Sequence, residues 1–124
     1  MKIQIPTTNY VNLRQQIRNL AESDDWQTWS VVWIKTKDGG EFRRLVHTPK
    51  DDNQYVDIQL MLCSPTETDR RSGKLYLEIR PVRANDSELT DEQVHEKSAI
   101  VLGRFCEMLN RYFPLLKGYH VILK

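Results

Sequence analysis

Few side chains in this sequence stand at spacings that support catalysis or metal binding. The segment EQVHEK places Glu92, His95 and Glu96 close together on the first turns of a predicted helix. A di-metal site in a helix bundle needs the Glu-x-x-His element twice, with further carboxylates from facing helices. The chain has one copy, so we interpret the segment as a solvated helix start, where acidic side chains favour the N-terminal end of the helix dipole.

A second candidate, DDNQYVD at residues 51 to 57, is similar to the start of a calcium-binding loop. It lacks the glycine at position six and the glutamate at position twelve, where Leu62 stands instead, so a turn is predicted. The sequence also has no G-x-S-x-G, no G-x-G-x-x-G and no phosphate-binding P-loop. We therefore expect a non-enzymatic protein with no metal site and no cofactor.

The stretch WSVVWIKTKDGGEFRRLVH, residues 29 to 47, carries the most informative pattern for function. Its β-branched and aromatic residues predict a strand, and DGG at 38 to 40 supplies the positive φ angles of a tight hairpin turn. Strand alternation then places Trp29, Trp33 and Lys35 on one face. Aromatic rings beside a basic side chain indicate a second surface, distinct from the aliphatic side of the sheet.

Helical spacing predicts one helix at each end of the chain. TTNYVNLRQQIRNLAES carries Tyr10, Leu13, Ile17 and Leu20 at three- and four-residue intervals, which is typical of an amphipathic helix. A longer helix is predicted from Asp91 to Phe113.

The start of the longer helix is marked by a capping box, Thr90 with Gln93. Within it, Gly103 and Ala99 lie one turn apart, and such a small pair predicts the point where the helix crosses the sheet closely.

Two further segments alternate as strands, QYVDIQLMLC at 54 to 63 and KLYLEIRPV at 74 to 82. SPTETDRRSG, between them, predicts a solvated loop, and Pro81 indicates a strand end or a sheet edge. The prediction leaves open a last short strand at YHVIL, residues 119 to 123, beside KIQI at the N-terminus. The prediction is a single α+β domain over 1–124, an antiparallel four-stranded meander flanked by an N-terminal helix and a long C-terminal helix.

The alternation of these strands divides the sheet into two faces. The inner face is predicted to carry the aliphatic residues Val32, Ile34, Leu45, Val56, Ile58, Leu60, Leu62, Leu75, Leu77 and Ile79. The other face is predicted to carry Trp29, Val31, Trp33, Lys35, Arg44, Tyr55, Gln59, Met61, Tyr76 and Arg80. Arg70 and Arg71, on the loop at 64 to 73, are added as residues able to reach an anionic partner.

Three hypotheses compete for the aromatic and basic face. The N-terminal helix covers it in the first, as in a sheet between two helical layers. In the second it binds a protein, including a second copy, because Trp, Tyr, Met and Arg are enriched at such interfaces. In the third it binds single-stranded nucleic acid, with bases stacked on the rings. The order of four strands and a helix opened by LTDEQ resembles, in topology alone, the Whirly-type folds that bind single-stranded DNA.

Composition narrows these hypotheses. With 124 residues, 18 of them basic and 17 acidic, the net charge is +1. The chain thus lacks the strong positive field of a dedicated duplex-DNA binder. Met1 is followed by KIQIP rather than an apolar leader, and no run approaches the roughly 18 apolar residues of a membrane span. Cys63 and Cys106 have no CxxC spacing, so we expect reduced thiols in a cytoplasmic protein.

Overall fold

The computed structural model describes residues 1–23, 28–49, 53–114, 116 and 118–122. These residues form strands and helices in the following order: β1 (Lys2–Pro6), α1 (Tyr10–Glu22), β2 (Trp29–Lys35), β3 (Glu41–His47), β4 (Ile58–Cys63), α2 (Glu67–Arg71), β5 (Tyr76–Arg83), α3 (Asp91–Tyr112) and β6 (His120–Ile122). Residues 51 and 52, which begin the rejected calcium loop, lie outside the described part. Residues 54–57 of that segment form a turn.

All strand pairs in the sheet are antiparallel, and the order of the strands within the described residues is β2-β3-β4-β5-β1-β6. The predicted α+β fold is confirmed, with β2 to β5 as the meander. The short strand predicted from YHVIL beside KIQI is present as β6, which pairs with β1 through Ile3 and Val121. The pairing of β1 with β5 extends the prediction. The loop at 64 to 73 contains the one-turn helix α2.

Both long helices pack on the same face of the sheet. Leu13 and Ile17 of α1 share one apolar core with Phe105 and Leu109 of α3. The strands contribute Ile3, Ile5, Leu45, Ile58, Leu60, Leu62, Leu77 and Ile79 to this core. The cross-strand pairs Leu62–Ile79 and Ile3–Ile79 place these strand residues on one side. The hypothesis that α1 covers the aromatic and basic face is therefore wrong for Arg44 and Arg80, which lie on the side away from the helices, whereas Trp29 is buried on the side that the helices cover.

The predicted face assignment of β2 is also wrong. Trp29 is only 3% exposed and belongs to the core, and Val31 packs against that core opposite Leu45. Val32 and Ile34 therefore lie on the side away from the helices. Alternation could not decide the phase because both sets of β2 residues are apolar. Burying the large indole of Trp29 removes more apolar surface from water than burying a valine would.

The predicted crossing point at Gly103 is wrong as well. The buried side of α3 consists of Ser98, Val101, Leu102, Phe105, Met108 and Leu109. Gly103 and Ala99 lie on the exposed side. A methyl group added at Gly103 would meet no atom within 4 Å. Its small size therefore serves no contact within the described part of the chain.

Local sequence signals set the ends of the elements. Asn9 caps α1 by accepting from Asn12 N at 3.0 Å, and Thr90 with Gln93 forms the expected capping box on α3. Pro81 lies inside β5, opposite Leu60. The pairing of β1 with β5 covers only residues 76 to 79 of β5, so Pro81 lies past the stretch that needs a donor toward β1.

Candidate functional site

The side of the sheet that faces away from α1 and α3 is here called the outer face. Its residues alternate with the core residues along each strand. They are Ser30, Val32 and Ile34; Phe42, Arg44 and Val46; Gln59, Met61 and Cys63; Tyr76, Glu78, Arg80 and Val82; Lys2 and Gln4; and His120 and Ile122. Val46 and Tyr76 are buried on this face without joining the core that the helices cover.

Strands β2 to β4 make one half of the outer face apolar. Val32, Ile34, Phe42 and Met61 are each partly accessible, and Ile34 lies directly opposite Phe42. Sheet faces in water normally carry polar side chains, whereas this half presents a patch that a partner surface can bury. The sequence prediction had Met61 on this face. It missed Val32 and Ile34 because their phase was inverted.

Arg44 stands in the middle of the apolar half. Its Nη1 donates to Gln59 Oε1 at 2.8 Å, and its guanidinium carbon lies 4.9 Å from the centre of the Phe42 ring. Its Nε is buried and has no hydrogen-bond partner. Burial lowers the pKa of Arg44. A buried donor without a partner costs folding free energy.

The other half of the outer face is polar and centres on Glu78, which is 2% exposed. Its carboxylate accepts from Gln4 Nε2 at 2.9 Å, lies 3.3 Å from Lys2 Nζ, and pairs with Arg80 Nε. Burial alone would raise the pKa of Glu78, but these donors outweigh it and the pKa is lowered. The described outer face carries this one carboxylate and three cationic side chains, those of Lys2, Arg80 and Arg44, so it is net positive.

Tyr76 and the predicted loop arginines lie at one end of the outer face. The Tyr76 hydroxyl donates to Asp69 of α2, and its side chain is buried. Burial and this bond raise the pKa of Tyr76. Arg70 and Arg71 are exposed on α2, where Arg71 pairs with Glu67 one turn away. The ring of Tyr76 is 4% exposed and has Lys74 Nζ 5.7 Å from its centre, so it is not offered for stacking.

Trp33 lies on the opposite side of the sheet, beyond the cover of α1. It is 56% exposed, and the guanidinium of Arg43 sits 5.0 Å from its ring centre. Arg43 also pairs with Glu22 of α1 at 3.0 Å. Arg18 nearby has a buried Nε without a hydrogen-bond partner, and its pKa is lowered by burial and by Arg43. Lys35 is exposed at the end of β2.

The remaining predicted aromatics, Trp29 and Tyr55, belong to the interior. The ring of His47 lies between them, with centroids 4.7 Å from Trp29 and 5.6 Å from Tyr55. His47 Nδ1 lies 3.0 Å from the carbonyl oxygen of Thr28. The nine residues proposed from the sequence as one surface therefore divide into four groups. Arg44, Tyr76 and Arg80 share the outer face, whereas Trp33 with Lys35, Trp29 with Tyr55, and Arg70 with Arg71 lie elsewhere.

Groups for catalysis are sparse in the described part of the chain. No three His, Cys, Asp or Glu side chains there are arranged to hold a metal ion. A depression of about 320 Å³ between α3 and β5 is lined by Pro81, Asp91, His95 and Ser98, among others. Within the described residues no hydrogen bond joins His95 to Ser98, so His95 does not activate this serine. Of the helices described, none combines the length and the apolar character needed to cross a membrane.

No family model, no curated protein and no solved structure matches this chain. The outer face carries four partly accessible apolar side chains, Val32, Ile34, Phe42 and Met61, around Arg44.

Proposed function

We propose that this chain is a non-enzymatic binding protein of the cytoplasm that acts through protein–protein contacts and associates with itself. Its outer face is proposed to bind an apolar protein segment flanked by acidic residues. The observation that carries this proposal is the accessible apolar half of the outer face, with Arg44 in its middle and Arg80 beside it. Adaptor, inhibitor and chaperone roles are all consistent with such a surface.

Apolar burial supplies the main driving force in this proposal. Covering Val32, Ile34, Phe42 and Met61 would remove from water the surface that the helices leave accessible. Met and Phe are also residue types enriched at protein interfaces. Seven consecutive pairs hold β2 against β3, so the docking surface is already ordered before a partner arrives.

Charge selects the kind of partner. Glu78 is already paired with Lys2 and Arg80, so the described outer face offers no free carboxylate to a basic partner. Arg44 is partly exposed, and a carboxylate that reached the terminal nitrogens of its guanidinium would make a charge-assisted hydrogen bond. An acidic rim on the partner is therefore complementary, whereas a basic rim would be repelled.

Single-stranded nucleic acid remains the second candidate, favoured by the exposed ring of Trp33 beside Arg43. Among the described residues this site offers one stacking ring, since Trp29 is buried and Tyr55 packs on the core. Stacking proteins ordinarily present several rings along a strand. For this reason we rank nucleic acid below a protein partner.

A peptide-display selection tests the proposal directly. Random twelve-residue peptides are selected on the immobilised wild-type protein, and the recovered peptides are titrated against purified variants. We expect apolar peptides with flanking Asp or Glu. Their affinity should fall by about tenfold or more for Met61→Asp, since this change puts a carboxylate in the apolar half.

The matched control is Ile100→Asp, because Ile100 is an exposed aliphatic residue on α3, away from the outer face. It should leave peptide affinity unchanged. Peptides that bind both variants as well as the wild type would contradict the proposal, and so would a selection with no enriched peptides. Titration of a twenty-nucleotide oligothymidine at low salt runs in parallel. Quenching of tryptophan fluorescence that is lost in Trp33→Ala would support the nucleic-acid candidate instead.

A further inference from the structure

Strand β2 forms one end of the sheet, and within the described residues no other strand pairs with its outer edge. Its ladder with β3 begins with Thr48 N donating to Thr28 O at 2.8 Å and ends with Thr36 N donating to Gly40 O at 2.8 Å. Since hydrogen-bonded pairs alternate in an antiparallel ladder, the even-numbered residues of β2 bond to β3. Val31 and Trp33 therefore direct their N–H and C=O groups away from the sheet.

Within the described residues this edge has few of the features that normally prevent strand pairing. Protected edge strands carry proline, a bulge or charged side chains, are very short, or lie under a helix or loop. Strand β2 has seven residues in unbroken register with β3, no proline, and a single charged residue, Lys35, at its end. A further strand can therefore pair with β2 along this edge and extend the sheet.

We propose that two copies of this chain pair antiparallel through β2, with the twofold axis passing beside Val32. In this register Val31 of each copy lies opposite Trp33 of the other. Their outward N–H and C=O groups then form four hydrogen bonds between the copies. The inference rests on the self-association included in the proposed function and names its interface. It does not depend on what the outer face binds.

Side chains favour a second copy as the occupant because the strand is complementary to itself in this register. The exposed ring of Trp33 packs over Val31 of the second copy, an aromatic and β-branched cross-strand pair that stabilises sheets. On the other side, Val32 meets Val32 of the second copy, and Ser30 meets Ile34. Lys35 lies opposite Trp29, so no two like charges face each other. The outer faces of both copies become one continuous surface.

A charge-exchange experiment tests this register. Val32→Lys and Val32→Glu each place like charges directly opposite across the axis. Each variant should raise the dissociation constant of its own dimer by about tenfold or more relative to wild type in sedimentation equilibrium. Mixed in equal amounts, the two variants should form a heterodimer, detected by native mass spectrometry, because Lys and Glu then face each other.

The matched control exchanges charges at Ile34, the next residue on the same side of β2. In the proposed register Ile34 faces Ser30, so Ile34→Lys and Ile34→Glu should show no preference for the mixed dimer. Equal dimerisation of the two Val32 variants and wild type would overturn the edge interface. So would failure of the mixture to associate. A wild-type protein that stays monomeric at tens of micromolar would overturn both the edge interface and the self-association. Failure of the interface alone is therefore distinguishable from failure of self-association.

Amide hydrogen exchange of the wild-type protein gives the same test without any substitution. The amides of Val31 and Trp33 should exchange slowly only at concentrations that populate the dimer. The amides of Val32 and Ile34, bonded to β3, should be slow at every concentration. Amides of Val31 and Trp33 that exchange equally fast in monomer and dimer would overturn the proposal.

Discussion

Trp29 packs edge-on against Phe105, with ring centroids 5.5 Å apart and ring planes at 83°. This contact joins the edge strand β2 to the middle of α3 and closes the core at that end of the sheet. Edge-to-face pairs of this geometry stabilise beyond the apolar area they bury. The same strand carries Trp33, four residues later on the same side, in an exposed position. The two tryptophans therefore have different roles.

The first prediction concerns this pair of tryptophans. Trp29→Ala should lower the free energy of unfolding by about 3–5 kcal/mol, because it removes a buried ring and leaves a cavity. Trp33→Ala should lower it by about 1 kcal/mol or less, since it loses mainly an exposed contact with Arg43. Urea unfolding of both variants measures the difference. Similar losses for the two would contradict the assignment of Trp29 alone to the core.

The second prediction concerns Gly103. Alanine at this exposed helical position should raise the free energy of unfolding by up to about 1 kcal/mol through helix propensity. Gly73→Ala is the matched control, because Gly73 also has open space around it but adopts a φ of +81°. Alanine is strained in that conformation and should destabilise. Thermal melts check both variants. Destabilisation by Gly103→Ala would contradict the open space at this position, because it would mean that another group packs against Gly103.

The third prediction concerns pH and Glu78. Its folded pKa lies below the ordinary value of 4.5, despite the opposing effect of burial, because Gln4, Arg80 and Lys2 hold the carboxylate. A depressed pKa contributes stability that is present above the unfolded pKa and lost as the pH falls through the folded one. Denaturant midpoints measured from neutral pH to below 4 should therefore fall less steeply for Glu78→Gln than for wild type. Parallel curves would contradict this role.

Local signals predicted α3 almost to the residue. The capping box at Thr90 and Gln93 sets its first turn, and Pro114 follows its end. Residues 58 to 63 of β4 and 76 to 80 of β5 were assigned to the correct faces because their aliphatic core residues recur at every second position. The first of these strands was predicted to begin too early: Tyr55 and Val56 lie in the turn at 54–57, and Tyr55 packs against the core.

Other features depend on contacts that a local pattern does not contain. The place of β1 between β5 and β6 follows from pairing over more than seventy residues, as for Gln4 with Glu78. The phase of β2 depends on the fit of Trp29 against Phe105, from the far end of the chain. For the candidate site, Arg44 and Arg80 were predicted on the correct face. Trp29 was not, because its strand is apolar on both sides.

The proposal that the outer face binds protein is tested most directly by protection of its native thiol. Cys63 lies on the outer face and Cys106 on α3; both are half-buried, and burial raises the pKa of both thiols. Alkylation rates are measured for each at mildly alkaline pH, with and without a saturating peptide recovered by the display selection. We predict that the peptide slows alkylation of Cys63 by about tenfold, because only the unbound fraction of the protein then reacts. The alkylation rate of Cys106 should stay unchanged. An unaffected Cys63 with the peptide fully bound would contradict the proposal that this face is the binding surface.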